Sequence, residues 1–252
     1  MNAWSGGSYT YESIPFVLSE YLYHQLKKRG YVAPTVIHTN RYVTRYLIRE
    51  DMNYINIDLH PKSQNHKILS RFKNFLRILY DGTYYGEALA TDIHRAGLKT
   101  ITELPRPFFL CLWYMDVHGP HFPPGETKIR DILLNKRYIK TTLRKDPDYL
   151  LGGDIDKLVV NYDKEIKYFD DNLFELLVQL PGETIVILTS DHGEEFMERG
   201  GLGHHEAEIP ELRHVPLLVK IPRAKPSVVN DYFDFKKFDK YILSIIDQRE
   251  EK

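Results

Sequence analysis

The chain has 252 residues, 42% of them apolar and 27% charged, with a formal net charge of -1. These values fit one large α/β domain with a sizeable core or two small ones, the first being favoured, and exclude disordered and fibrous classes. The charge balance gives no global pull toward nucleic acid, and the lone Cys111 excludes an intrachain disulfide or a thiolate metal cluster. No run approaches the ~18 apolar residues of a membrane span, and no signal-peptide pattern opens the chain. A cytoplasmic protein without a membrane span is therefore expected, with the reservation that a shortened N-terminus would conceal a signal.

Ile14, Val17, Leu18, Leu22 and Leu26 recur at helical spacing up to Lys27-Lys28-Arg29 and Gly30, which predicts one helix with a basic last turn and a glycine stop. Tyr31 to His38 reads as a short strand, placed at a sheet edge by Pro34, and Tyr42 to Arg49 as a helix. Tyr54 to Leu59 is a further strand, followed by helices over about His66 to Tyr80 and Tyr85 to Ala96. The aromatic apolar run from Phe108 to Met115 predicts a central strand with Cys111 buried in it.

Beyond a Pro-rich loop, the region from about 126 to 157 is charged and weakly periodic, an excursion with room for one short helix. Tyr162 to Leu180 is amphipathic, with Ile166, Phe169, Leu173, Leu176 and Leu177 on one face and Pro181-Gly182 ending it. Thr184 to Leu188 and Val215 to Ile221 are the last strands. Strands alternating with helices predict a mainly parallel central sheet with helices on both faces, in a single domain over 1–252. Ligands of such sheets collect beyond the carboxyl ends of the strands, where the histidine-rich loops fall.

Three clusters can carry chemistry. Asp191-His192 offers an anionic oxygen and an imidazole, half of a site for Zn²⁺ or Mn²⁺, or with more oxygens for Mg²⁺ or Ca²⁺. The competing reading makes Asp191 the cap of a helix beginning at Gly193, with Glu194 and Glu195 in its first turn. His204 and His205 follow Gly201-Leu202-Gly203, and His118 and His121 stand in a loop stiffened by Pro120, Pro123 and Pro124. A rigid loop suits a histidine that holds an anion or gives up a proton.

The segments "PFFLCLWYMDVHGPHFPP", "YDKEIKYFDDNLFELL", "TIVILTSDHGEEF", "GLGHH" and "LRHVPLLVKIP" stand in an order that resembles the sulfatase family of the alkaline phosphatase superfamily, over about Tyr11 to Pro222. The resemblance implies an alkaline phosphatase-like α/β fold and a metal-dependent hydrolase of sulfate or phosphate esters, small-molecule or glycan-type. It implies one divalent metal ion on Asp191 and His192, with His118 and His204 facing the ester. His205, His121 and His214 are then supporting or structural, and Glu194 and Glu195 stay first-turn carboxylates. Neither charge nor motif supports a nucleic-acid partner, and an oligomer is compatible with the pattern.

The opening departs from the family pattern, which starts with a strand ending in an acidic metal ligand and then a nucleophile segment. Two alignments compete. One reads Ser8 to Ser19 as a variant nucleophile segment with Thr10 at the attacking position. The other, favoured by the Gly30-Tyr31 stop, reads Ile14 to Tyr31 as a later family helix in an N-terminally shortened domain without a nucleophile segment. Threonine cannot become the aldehyde-derived nucleophile that sulfatases make from Cys or Ser, so Thr10 would imply phosphoryl transfer. A catalytically silent protein or fragment of this fold, acting in binding or assembly, is the alternative to the enzyme.

Overall fold

The computed structural model describes residues 2–31, 35–57 and 88–250. Strand β1 (Asn2–Trp4) is followed by helices α1 (Thr10–Val17) and α2 (Glu20–Lys28). Then come β2 (Thr35–His38), α3 (Arg41–Arg49), β3 (Asn53–Asn56), α4 (Ala90–Glu103) and β4 (Leu110–Leu112). Two long helices, α5 (Ile129–Arg144) and α6 (Asp154–Leu177), lead to β5 (Val186–Thr189). Short strands β6 (Glu195–Phe196) and β7 (Leu202–Gly203) precede α7 (Pro210–Arg213) and β8 (His214–Val215). The remaining elements are β9 (Leu217–Lys220), β10 (Tyr232–Asp234) and α8 (Phe238–Glu250).

The architecture is α/β, and its sheet is parallel in part. β2 runs parallel to both β3 and β4, and β1 runs parallel to β10. The pairs β1–β8, β5–β9 and β6–β7 are antiparallel. Side chains alternate across the parallel strands as the pleat demands. Val36, Cys111 and Trp113 pack with Val43 and Leu47 of α3, while Ile37, Leu110 and Leu112 pack with Ile93 of α4. Helices therefore cover both faces. A further core joins Ala3, Val215 and Leu217 to α2 and α8 through Leu22, Leu26, Phe235, Phe238, Ile242 and Ile246.

Several expectations change. Pro34 lies outside the described residues, and the strand after it is flanked on both sides, so the edge placement is wrong. The predicted opening helix is two helices: the chain breaks at Leu18-Ser19, where the Ser19 hydroxyl caps α2 by accepting the Leu22 N–H at 3.0 Å. Its buried face is nonetheless the predicted one, since Ile14, Leu18, Leu22 and Leu26 are all buried. The helix expected over His66 to Tyr80 lies outside the described residues, as does the start of the one over Tyr85 to Ala96, which is seen as α4.

β4 bonds on one side only among the described residues, so its central position is not seen there. The excursion holds a 16-residue helix rather than a short one, because the face α5 buries includes polar Asp131, Asn135 and Thr141 beside Leu134 and Tyr138. The amphipathic helix starts eight residues earlier than expected, at Asp154, and Ile166 is exposed.

Candidate active site

β5 delivers the first cluster. Beyond Thr189 the backbone leaves the strand at Ser190, and Gly193 passes so close to α7 that a Cβ there would strike the Glu211 carbonyl. The Gly193 N–H donates to the Leu212 carbonyl at 2.8 Å, fixing the turn that presents Asp191 and His192 together. His192 Nδ1 lies 2.8 Å from the Gly193 carbonyl, so this nitrogen donates and Nε2 is the free acceptor. Nε2 lies 3.4 Å from Asp191 Oδ2, a buried oxygen without a hydrogen-bond partner. A buried anionic oxygen with no donor, beside an imidazole nitrogen without a proton, is a donor set that fits a divalent cation.

Thr10 comes to the same place from the other end of the chain. Its Oγ1 lies 3.1 Å from His192 Nε2, and the residue is buried in the first turn of α1. The segment before it is stitched to the metal-candidate turn. Ser5 Oγ donates to the Asp191 carbonyl, the Ser5 N–H donates to the Arg213 carbonyl at 2.7 Å, and Arg213 Nε donates to the Ser5 carbonyl at 2.8 Å. Glu12 accepts the Ser8 N–H at 2.9 Å, and Gly6 lets the backbone pass the Phe16 ring where any Cβ would clash. A strand before residue 10 therefore exists, although it ends in Trp4-Ser5 and not in a carboxylate. α1 begins with Thr10 and brings it to His192, while α2 ends in the Gly30 stop on which the competing alignment rests.

The remaining histidines close around this point. The His204 ring is 4.6 Å from His192 and 5.2 Å from His118, centroid to centroid. All four predicted site residues, His118, Asp191, His192 and His204, are thus brought together with Thr10. Burial, and then the neighbouring His204, push the His118 imidazole down to about 4. Burial also opposes a charge on His204, but the Glu194 carboxylate at 3.0 Å from Nδ1 outweighs it and raises that imidazole.

Glu194 and Glu195 are not first-turn carboxylates, since β6 and not a helix follows Gly193. The carboxylates of both are covered, as partners of the histidine pair. Glu194 holds His204 and Glu195 holds His205 at 2.7 Å, each across ten residues, because β6 and β7 fold back on one another. Burial works against the ionised Glu194, but His204, His121 and the Tyr138 hydroxyl keep its carboxyl down at about 2. Ligating atoms of His192, Glu194 and His204 lie within 4.8 Å of one another, so Glu194 is a second candidate carboxylate for a cation. The matching Glu-Glu and His-His doublets were the signal in the sequence for these pairs.

His121 and His214 have partners of their own. His121 is fully buried, with Nδ1 2.8 Å from Glu165 Oε2, and burial pushes that carboxyl up to about 7 against the pull of His121. His214 is exposed beside Trp4.

An α/β fold that gathers Thr10, His118, Asp191, His192 and His204 at one point is the arrangement expected of a sulfatase-like ester enzyme family. The chain belongs to the sulfatase family, whose model matches residues 2–244. With 98% of its length it covers 47% of a lipooligosaccharide phosphoethanolamine transferase A, an integral membrane protein from Neisseria meningitidis, at 16% identity and a TM-score of 0.65. With 94% of its length it covers 58% of a phosphonate monoester hydrolase from Silicibacter pomeroyi, at 15% identity and a TM-score of 0.48. The family match and the likeness to the transferase give the alkaline phosphatase-like fold expected. The chain spans roughly half of each neighbour. No curated protein matches the chain. Among the described residues no helix is long and apolar enough to cross a membrane.

Proposed function

We propose that the chain is a metal-dependent enzyme of phosphoric esters, with Thr10 as nucleophile, Asp191 and His192 as metal ligands, and His118 and His204 on the ester. The observation that carries this reading is the convergence of Thr10 Oγ1 on His192 Nε2 at 3.1 Å, next to the partnerless Asp191 Oδ2. Asp191 and His192 would hold the divalent cation, which would supply positive charge beside the Thr10 hydroxyl and the ester oxygens, and the Thr10 proton would leave to water.

The residues of the chain supply the rest. Thr10 Oγ1 attacks phosphorus, its bond to phosphorus forms, and the bond from phosphorus to the leaving alcohol breaks. His204, whose imidazole is raised by Glu194, gives the departing alkoxide its proton. His118 is neutral near pH 7 and donates an N–H to the ester oxygens where charge develops. Water, or a second alcohol, then takes the phosphoryl group from Thr10. Phosphorus is preferred over sulfur because a threonine cannot be converted into the sulfatase aldehyde.

A panel of phosphate mono- and diesters and sulfate esters with Mg²⁺, Mn²⁺, Ca²⁺ or Zn²⁺ tests the reading. Turnover is expected to fall by at least about 100-fold in Asp191→Ala and in Thr10→Ala. A phosphoryl adduct on Thr10 should be visible by mass spectrometry. Equal turnover in the wild type and Asp191→Ala would overturn the metal assignment, and no turnover of any ester would favour the silent alternative.

A further inference from the structure

Tyr138, in the middle of α5, takes no part in the reaction proposed above, yet its hydroxyl sits between both histidine loops. The side chain is buried, and the hydroxyl donates to Glu194 Oε1 at 2.8 Å while Glu194 Oε2 faces His204 Nδ1 at 3.0 Å. The glycines beside the two ester-facing histidines lie against this same hydroxyl. A Cβ on Gly119, next to His118, would fall inside 3.0 Å of it, and one on Gly203, next to His204, would meet it at 3.1 Å. The Tyr138 ring also packs edge-on against His121, 5.4 Å between centroids.

A carboxylate held through one oxygen alone still turns about its terminal bond, and a donor on the other oxygen stops that rotation. With Glu194 fixed, His204 has one ring orientation that satisfies Nδ1, and Nε2 is the nitrogen left on the opposite side of the ring. We propose that Tyr138 is a positioning residue, whose hydroxyl locks Glu194 and through it holds His204 with Nε2 free for the ester. This rests on His204 being an ester-facing group, as read above. It also gives α5 a role in the site, through the Tyr138 hydroxyl.

Tyr138→Phe removes that hydroxyl and keeps the ring on His121. With an ester found active in the panel, kcat is expected to fall about tenfold with KM within about twofold. Because Tyr138 acts through Glu194, the double variant Tyr138→Phe/Glu194→Ala should be no slower than Glu194→Ala alone. Multiplying losses in the double variant would overturn the proposal.

A second readout needs no turnover. In ¹⁵N-edited spectra of the full chain, assigned by comparison with His204→Gln, the Nδ1–H of His204 should exchange slowly with water. Its exchange should quicken by at least about tenfold in Tyr138→Phe. An unchanged His204 signal in a Tyr138→Phe chain that melts like the wild type would overturn the proposal, even if the wild type turned over no ester.

Discussion

His38, at the carboxyl end of β2, is fully buried, and burial pushes its imidazole down to about 4 against a weaker pull from the Asn40 backbone. The unfolded chain, near 6.5, therefore takes up a proton first as the pH falls. The stability from this site is complete above about pH 6.5 and shrinks by roughly 2–3 kcal/mol toward pH 4. Urea midpoints at pH 7.5 and 5 should separate less in His38→Asn than in the wild type, and equal separation would refute the assignment. At this scale the sequence disclosed the groups that stand beside fixed glycines and prolines: His118, Asp191, His192 and His204. For Glu194 and Glu195 the matching doublets were a signal without an address, because only the reversal between β6 and β7 brings histidines ten residues away onto them.

Among the elements, α5 and α6 are tied by a bidentate pair. Arg137 donates from Nε at 2.7 Å and from Nη2 at 3.0 Å to Asp154, whose side chain is 1% exposed, and the Leu151 N–H donates to the same carboxylate. The Arg137 hydrogen bonds hold that carboxyl below its usual range. Stability from a depressed carboxylate is present above the unfolded value near 3.9 and is lost as the pH falls through the folded one. Asp154→Asn should cost about 1–3 kcal/mol at pH 7, with an unchanged denaturant slope and a cost that fades in strong acid. A variant that matched the wild-type midpoint at pH 7 would refute this. The sequence understated α5 for a related reason. Apolar periodicity cannot find a helix whose inner face includes Asp131, Asn135, Tyr138 and Thr141: Asp131 closes the first turn of α5 itself, while Asn135 bonds to His121 and Tyr138 to Glu194 in the loops around the site. The break before α2 was readable in principle from Ser19, a helix-capping residue inside an otherwise continuous apolar stripe.

For the molecule as a whole, the two ends of the sequence share one core. Phe235 is 1% exposed and stacks on Phe238 at 4.7 Å, beside Ala3, Leu22 and Leu26, while Arg29 of the α2 end pairs with Asp247 of α8 at 2.9 Å. Phe235→Ala should cost about 3–5 kcal/mol, read as a lower melting temperature in one cooperative transition. Two separate transitions would instead mark the ends as independent units. Composition and alternating pattern announced the α/β class, but the joining of β1 to β8 and β10 was invisible, because three short residues carry no periodicity. That joining has a kinetic meaning. Among the described residues β1 pairs with strands at 214–215 and 232–234, and Thr10 meets His192 across 182 positions, so long loops must close before the candidate site is assembled. The sheet around β1 is therefore expected to form late, so amides of β1 should gain protection from exchange only in the slowest phase of refolding.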